Sequence, residues 1–211
     1  MSQLLIKHKK HSFAEKKIHT DHWFCSDDRL NSLYPLPVQA KAEKHWTPLP
    51  VALKATRFLA AENGARILDI GSGVGKFCLA AAYYKPNAFY YGVEQRKSLT
   101  DHADSAKERL CMQNVSFIHG NFTQLDFRNY DHFYFFNAFY ENLAGTSKID
   151  DSIDYSGELF NYYNRYLYKQ LEQKPAGTRL ATYHSMEDEV PRGYHIVGSE
   201  MDNLLKFWIK I

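Results

Sequence analysis

The sequence predicts an α/β fold: a doubly wound, seven-stranded sheet that is mainly parallel and closes with an antiparallel pair of strands. From about residue 49, apolar segments of strand length alternate with segments of helical periodicity, the pattern of a parallel sheet with right-handed crossovers. One strand-to-helix junction carries three glycines, as the ligand crevice of a doubly wound sheet does. The last two strand-like segments suit a closing antiparallel pair.

The individual elements follow from local patterns. Residues that form β-structure in short runs predict strands at 66–70, 88–93, 115–118, 132–136, 179–184, 194–197 and 204–209. Apolar residues that recur on one face predict helices near 49–62, 75–84, 97–112 and 156–173. We therefore expect one domain over residues 46–211, with residues 1–45 as an N-terminal extension.

Composition sets the outer limits. A chain of 211 residues can bury one sizeable core, and its formal net charge of +2 neither demands nor excludes a nucleic-acid partner. Its three widely spaced cysteines argue against a disulfide framework and for a reducing compartment. No apolar run approaches membrane-spanning length. We expect a cytoplasmic protein without a membrane partner.

The N-terminal extension contains two features that invite a functional interpretation. Five lysines within residues 7–17 are typical of a solvated arm, although a contact with an acidic partner is the sharper alternative. His19, His22 and Cys25 resemble part of a zinc site. Because no second Cys or His pair stands at structural spacing, loop residues are the better interpretation and we expect no metal.

Residues 67–75, Ile-Leu-Asp-Ile-Gly-Ser-Gly-Val-Gly, join a predicted strand to a predicted helix. Glycines in such a turn let a ligand approach the backbone where a Cβ would collide with it. A dinucleotide fingerprint needs its third glycine at position 76, which is a lysine, and no Gly-Lys-Ser/Thr of a P-loop follows. Asp69 would repel a pyrophosphate but attract an ammonium group. The spacing favours S-adenosylmethionine over NAD.

The second predicted strand ends in Glu94. The carboxyl ends of neighbouring strands line the ligand crevice of a doubly wound sheet, so an acidic residue there can accept hydrogen bonds from both ribose hydroxyls. A solvated glutamate is the alternative. Its place after a glycine turn favours the functional interpretation.

Residues 66–95 resemble motifs I and II of the class I S-adenosylmethionine-dependent methyltransferases, whose fold is Rossmann-like, and the similarity extends over roughly residues 45–140. The resemblance implies that Asp69 reaches the amino end of the cofactor and that Glu94 holds its ribose. The cofactor contacts that it implies near the first strand are Thr47, Gly71, Ser72, Gly73 and Gly75. Trp46-Thr47-Pro48 resembles a helix start of small bacterial methyltransferases, and also of protein-lysine methyltransferases that lack a SET domain.

The third predicted strand is followed by Asn121 and Phe122. The methyltransferase family often has an acidic residue here that contacts the adenine amino group. The amide oxygen of Asn121 can accept the same hydrogen bond, and Phe122 either stacks on the adenine or fills the core. Both are predicted cofactor contacts.

The fourth predicted strand is followed by Asn137-Ala-Phe-Tyr140-Glu-Asn142, which resembles a relaxed Asn-Pro-Pro-Tyr loop of amino-group methyltransferases. An Asn oxygen can orient the N–H of a nucleophilic nitrogen, and an aromatic face attracts a cation. We predict Asn137 and Tyr140 as catalytic residues, with Asn137 also touching the cofactor. Candidate bases are Glu141, His184 and Tyr140. The acids of residues 142–157 either attract a basic acceptor or are ordinary surface groups.

These observations predict a methyltransferase that transfers a methyl group from S-adenosylmethionine to a nitrogen, on a protein or another amine. A small-molecule or RNA acceptor is the alternative within the same chemistry. An inactive cofactor-binding partner protein is the alternative from another class, because Asn121 and the loop at Asn137 depart from the family pattern.

Overall fold

The computed structural model describes residues 21–211 of the chain. Its seven strands form one sheet in the order β3-β2-β1-β4-β5-β7-β6. The strands are β1 (Arg66–Ile70), β2 (Phe89–Glu94), β3 (Val115–His119), β4 (His132–Phe136), β5 (Arg179–Tyr183), β6 (Tyr194–Glu200) and β7 (Leu205–Lys210). The first five strands run parallel, and β7 pairs antiparallel with both β5 and β6. The predicted fold class is confirmed.

Seven α-helices accompany the strands in residues 21–211: α1 (Asp27–Asn31), α2 (Leu36–Gln39), α3 (Ala42–His45), α4 (Leu49–Leu59), α5 (Lys76–Tyr84), α6 (Lys97–Arg109) and α7 (Gly157–Glu172). The four longer helices coincide with the predicted ones. The three short helices before residue 46 were not predicted, because segments of four or five residues are too short to show a periodicity.

The sheet separates two apolar cores, because successive side chains of a strand point to opposite faces. In β1, Ile67 lies in the core shared with α4, α5 and α6, whereas Leu68 lies in the core shared with α7. Both side chains are fully buried. The carboxyl ends of β1, β2, β4 and β5 therefore remain together at one edge, where a ligand can reach all of them.

The segment before α4 packs on the first core. Leu30 is fully buried, Tyr34 and Trp46 are nearly so, and the Tyr34 hydroxyl donates to the backbone oxygen of Val74 at 2.9 Å. Residues 23–46 thus form one wall above the glycine turn. The boundary at residue 45 stays a prediction. The lysines of residues 7–17 and His19 of the considered zinc cluster lie outside the described residues.

Within residues 21–211 no helix is long and apolar enough to cross a membrane. The same residues contain no group of three or more His, Cys, Asp or Glu side chains arranged to hold a metal ion.

Candidate active site

A cavity of about 520 Å³ lies over the carboxyl ends of β1, β2 and β4. Its lining includes the predicted site residues Gly71, Gly73, Glu94, Asn137 and Tyr140. The opposite wall comes from α2, α3 and the residues around Thr146. The structure therefore brings together residues that the sequence separates by more than about one hundred positions.

The glycine turn has the backbone conformation that its sequence predicts. Gly71, Gly73 and Gly75 have φ angles of 76°, 54° and 78°, in the left-handed region that glycine adopts without steric cost. A Cβ at Gly75 would lie 2.3 Å from the ring of Phe117, and one at Gly71 would lie 2.4 Å from the Cβ of Ala138. Because glycines have no side chain, the turn leaves the carboxyl end of β1 uncovered and packs closely against Phe117 and Ala138.

Asp69 lies beneath the turn and is buried. Burial is the main cause that raises the pKa of its carboxyl to about 8, opposed by a hydrogen bond donated by the thiol of Cys78 at 3.7 Å. A cation placed next to this buried carboxyl would stabilise its ionised form. Asp69 shares a smaller cavity with Thr47 and Ser72.

Thr47 and Ser72 differ in their hydrogen bonding. The Thr47 hydroxyl lies 3.1 Å from the hydroxyl of Tyr134, so it is already paired. The buried Oγ of Ser72 has no partner among the described residues. A buried hydroxyl without a partner costs about 1–3 kcal/mol, which a ligand that hydrogen-bonds to it would recover.

Glu94 is buried at the end of β2 with both carboxylate oxygens held by backbone groups. One oxygen accepts from the amide of Gly73 at 3.1 Å and the other from the amide of Arg96 at 2.9 Å. Burial raises the pKa of Glu94, against the opposing effect of the Arg96 contacts. These bonds fix the carboxylate at the wall of the cavity.

Asn121 and Phe122 lie after β3. The Oδ1 of Asn121 accepts from the amide and the hydroxyl of Thr123, at 3.0 and 2.9 Å, and its Nδ2 donates to the Tyr163 hydroxyl at 2.9 Å. Phe122 is buried and stacks on Phe139 with ring centres 5.0 Å apart. The oxygen of Asn121 is thus already engaged within the protein, while Phe122 borders a small cavity beside Glu94. Their predicted contacts with adenine stay predictions.

Asn137 follows β4 directly and has a left-handed backbone with φ of 45°. Its Oδ1 is buried in the cavity wall and has no hydrogen-bond partner among the described residues. Tyr140 begins the short 3-10 turn Tyr140–Asn142, and its ring meets Phe160 edge to face at 5.9 Å. Burial, and then the carboxylates of Glu189 and Asp188, raise the pKa of Tyr140.

A match to a known family decides the class of the protein. The model of a family described as "Methyltransferase domain" matches residues 61–204, more than half of the chain. The chain belongs to this methyltransferase family. The predicted enzyme class and the predicted cofactor, S-adenosylmethionine, are thereby confirmed.

Individual similar proteins add a narrower comparison. A tRNA (guanine-N(7)-)-methyltransferase of Microcystis aeruginosa is 41% identical over 54 residues, which are 26% of this chain and 26% of that protein. The chain thus matches about a quarter of the length of this curated relative.

Two solved structures share the fold. Magnesium protoporphyrin IX methyltransferase from Synechocystis PCC 6803, with bound S-adenosylmethionine, is 16% identical, with a TM-score of 0.57 over 93% of this chain and 97% of that one. An RNA methyltransferase from Salinibacter ruber, in complex with S-adenosyl-L-homocysteine, is 18% identical, with a TM-score of 0.54 over 78% and 92%.

Arg96 is the main residue of the methyltransferase site that sequence analysis missed. Its buried guanidinium donates to Asp150 at 3.1 Å, to the hydroxyl of Tyr155 at 2.5 Å and to Glu141, and it lies 3.5 Å from Glu94. Asp150, one of the acids considered as attractants for a basic acceptor, and Glu141, considered as a base, are thus both paired within the protein. An arginine two positions after the strand-end glutamate was the available signal.

The wall formed by α2 and α3 was also missed. Lys41, Lys44 and His45 line the mouth of the cavity from this side. Burial is the main cause that lowers the pKa of His45, while Glu141, whose carboxylate lies 3.8 Å away, opposes it. The sequence showed only that residues 41–45 are polar, and nothing in that pattern predicts which cavity they border.

Proposed function

We propose that this methyltransferase transfers the methyl group of S-adenosylmethionine to a nitrogen atom of its acceptor. The observation that carries the proposal is the Oδ1 of Asn137, a buried hydrogen-bond acceptor without a partner in the described chain. An amine nitrogen brings an N–H that pairs with this oxygen, and that hydrogen bond recovers the cost of burying it. An oxygen or sulfur nucleophile that has lost its proton brings no such donor.

The residues around the glycine turn fit the predicted cofactor. We assign the buried carboxyl of Asp69 to the ammonium group of the methionine end, and the unpaired hydroxyl of Ser72 to the same end. Glu94 is assigned to the ribose hydroxyls. Thr47, Asn121 and Phe122 stay proposed cofactor contacts. Residues 46–211 are proposed as the catalytic domain, preceded by an extension.

The chemistry asks little of the protein beyond alignment. S-adenosylmethionine, held by Asp69, Ser72 and Glu94, would supply an activated methyl group with S-adenosylhomocysteine as the leaving group, and the acceptor nitrogen would take up that methyl group through its lone pair. Asn137 orients the nitrogen through its remaining N–H, so that the lone pair points along the line of displacement. The aromatic face of Tyr140 attracts the cationic acceptor or cofactor.

Among the three candidate bases, His184 fits best. Glu141 is paired with Arg96, and the raised pKa of Tyr140 keeps its phenol protonated near neutral pH. Burial lowers the pKa of His184, so its imidazole is neutral at pH 7 and can accept a proton. The His184 ring also packs against Phe136 at 5.8 Å, and Phe136 lines the cavity.

An RNA acceptor is the second candidate. The relative from Microcystis aeruginosa is named for a nitrogen of guanine in tRNA, and the lysines at the cavity mouth, Lys41 and Lys44, can contact phosphates. A guanine nitrogen and an amine are both nitrogen nucleophiles. Guanine N7 carries no N–H, so an RNA acceptor of this kind would keep the transfer to nitrogen but would not donate to the Oδ1 of Asn137 as an amine does.

The test combines cofactor binding with product chemistry. We expect Glu94→Ala to weaken S-adenosylhomocysteine binding about tenfold by calorimetry, which corresponds to about 1.4 kcal/mol. We also expect tritium transferred from S-adenosylmethionine to proteins of a cell extract to resist mild alkali, since methylated amines do and carboxyl methyl esters do not. Alkali-labile label would contradict transfer to nitrogen. Unchanged binding by Glu94→Ala would contradict the ribose assignment.

A further inference from the structure

The ends of β4 and β5 share an unusual backbone conformation. The two strands pair in parallel with Phe136 opposite Tyr183, so the next residues, Asn137 and His184, are neighbours. Both have left-handed backbones, with φ of 45° and 57°, although neither is glycine. Strained conformations of this kind persist where the surrounding structure imposes them, and they concentrate at functional sites.

Unpaired polar atoms lie at the same two strand ends. The described residues contain four buried side-chain oxygens without a hydrogen-bond partner, in Asn31, Ser72, Asn137 and Ser185. Three of these residues follow β1, β4 and β5 by one or two positions. Ser72 belongs to the proposed cofactor side, whereas Asn137 Oδ1 and Ser185 Oγ lie at the adjacent ends of β4 and β5.

A groove of about 560 Å³ lies between α7 and the 3-10 turn Glu187–Glu189, which follows β5. We call it the α7 groove. Its apolar lining comes from Tyr140, Leu143, Phe160, Tyr168 and Met186. Tyr140 borders both this groove and the cofactor cavity, so the two spaces meet at its ring. The side chain of Met186 is 55% exposed, and a flexible thioether adapts to varied apolar partners.

The charges of the α7 groove are balanced. Arg165 and Lys169 line it on the helix side, and Asp188 and Glu189 on the turn side. A polyanion such as RNA requires an excess of cations, which this lining does not supply. Asp188 and Glu189 lie close enough to Tyr140 to raise its pKa, so they also attract an ammonium group brought to that ring.

We propose that the methyl acceptor is a polypeptide, one segment of which lies in the α7 groove and passes an amine-bearing side chain across Tyr140 to Asn137. Ser185 contacts the same segment at the end of β5, and the carboxylate of Asp188 draws in its cationic side chain. This inference rests on the proposed transfer to nitrogen and names the class of acceptor.

The test uses a pool of peptides with a central lysine and degenerate flanks, tritiated S-adenosylmethionine, and total tRNA as the competing acceptor. We expect the pool to take up label. Asp188→Lys should raise the KM for the pool at least tenfold, and Ser185→Ala severalfold, because each removes one acceptor contact. The matched control, Glu108→Lys on the exposed face of α6, should behave as the wild type. S-adenosylhomocysteine binding should stay within twofold in all three variants, which shows that each is folded.

Three results overturn the proposal: label on tRNA alone, no label on the pool, or an unchanged KM for Asp188→Lys when its cofactor binding is intact. The failure of nitrogen transfer has a separate signature. Alkali-labile label on the peptides, with KM still raised by Asp188→Lys, would remove the nitrogen assignment and keep the polypeptide in the groove.

Discussion

The two sides of the cavity reach the left-handed region of backbone conformation with different residues. On the β1 side, glycines at positions 71, 73 and 75 adopt it. On the β4–β5 side, Asn137 and His184 adopt it and keep their side chains. Glycine takes this conformation at little steric cost, whereas residues with a Cβ pay for it. The difference indicates that the first side must admit a ligand to its backbone, while the second must present side chains at a fixed angle.

Arg96 connects these two sides. It follows β2, donates its backbone amide to Glu94, and extends a buried guanidinium to Glu141 and Asp150 of the connection between β4 and α7. Its side chain is 5% exposed. The wall of the cavity above β4 is thus held to the carboxylate proposed to bind the ribose. A change in Arg96 should therefore affect both sides at once.

The largest effect is expected from Arg96→Gln. Removing one partner of a buried ion pair leaves uncompensated carboxylates, which lowers the free energy of unfolding by about 3–5 kcal/mol. Urea denaturation followed by circular dichroism measures the loss. Arg128→Gln is the control, because Arg128 pairs with Asp126 on the exposed surface, where we expect no measurable change. Equal stability of the two variants would show that Arg96 does not hold the two sides together.

Gly75→Ala tests the β1 side of the cavity, where glycines adopt the left-handed conformation. The new Cβ would meet the ring of Phe117 at 2.3 Å in a left-handed conformation, and together these effects should cost about 3 kcal/mol of unfolding free energy. Gly64→Ala isolates the conformational part, because Gly64 has φ of 81° with open space around it, and should cost about 1 kcal/mol. If both variants lose the same stability, close packing of the turn contributes nothing.

Asn137→Gly tests the β4–β5 side of the cavity, where residues with side chains adopt the left-handed conformation. Glycine keeps the left-handed backbone without strain, so stability should stay within about 1 kcal/mol of the wild type. Loss of the oxygen that orients the nucleophile should lower kcat about 100-fold, or about 2.7 kcal/mol of barrier. Asn203→Gly is the matched control, since Asn203 has φ of 67° in the turn between β6 and β7. A wild-type kcat for Asn137→Gly would exclude Asn137 from the reaction.

The smallest effect, about 1.4 kcal/mol for each pH unit, is a pH dependence at Asp69. Its pKa of about 8 lies above the ordinary value, so the folded protein holds a proton that the unfolded chain releases, and stability falls as pH rises from about 4 to about 8. An ammonium group favours the ionised form. Binding of S-adenosylhomocysteine should therefore tighten with rising pH, by up to about tenfold per unit below pH 8.

Calorimetry at pH 6, 7 and 8 measures this trend, and Asp69→Asn should abolish it because the amide does not titrate. Equal pH dependence in the wild type and in Asp69→Asn would assign the proton to another group. It would also remove Asp69 from the proposed ammonium contact.

The sequence by itself determined the strands, the four longer helices and the glycine turn. Strands such as 66–70 and 132–136 were predicted with their observed ends, because burial on both faces leaves an apolar run bounded by polar residues. The cofactor followed from three glycines and a carboxylate at short spacing. Each of these signals lies within a short segment of the chain, so the sequence alone is enough to recognise it.

Only the tertiary structure decided which distant residues share the site. Arg96 meets Asp150 across 54 positions, and Asn137 neighbours His184 because β4 pairs with β5. The short helices of residues 27–45 owe their place to the burial of Leu30 and Trp46 in the core. An ion pair between distant residues and a left-handed backbone at a strand end produce no periodicity or spacing that can be recognised in the sequence. Both arise from the packing of elements against one another, which the chain settles only when it folds.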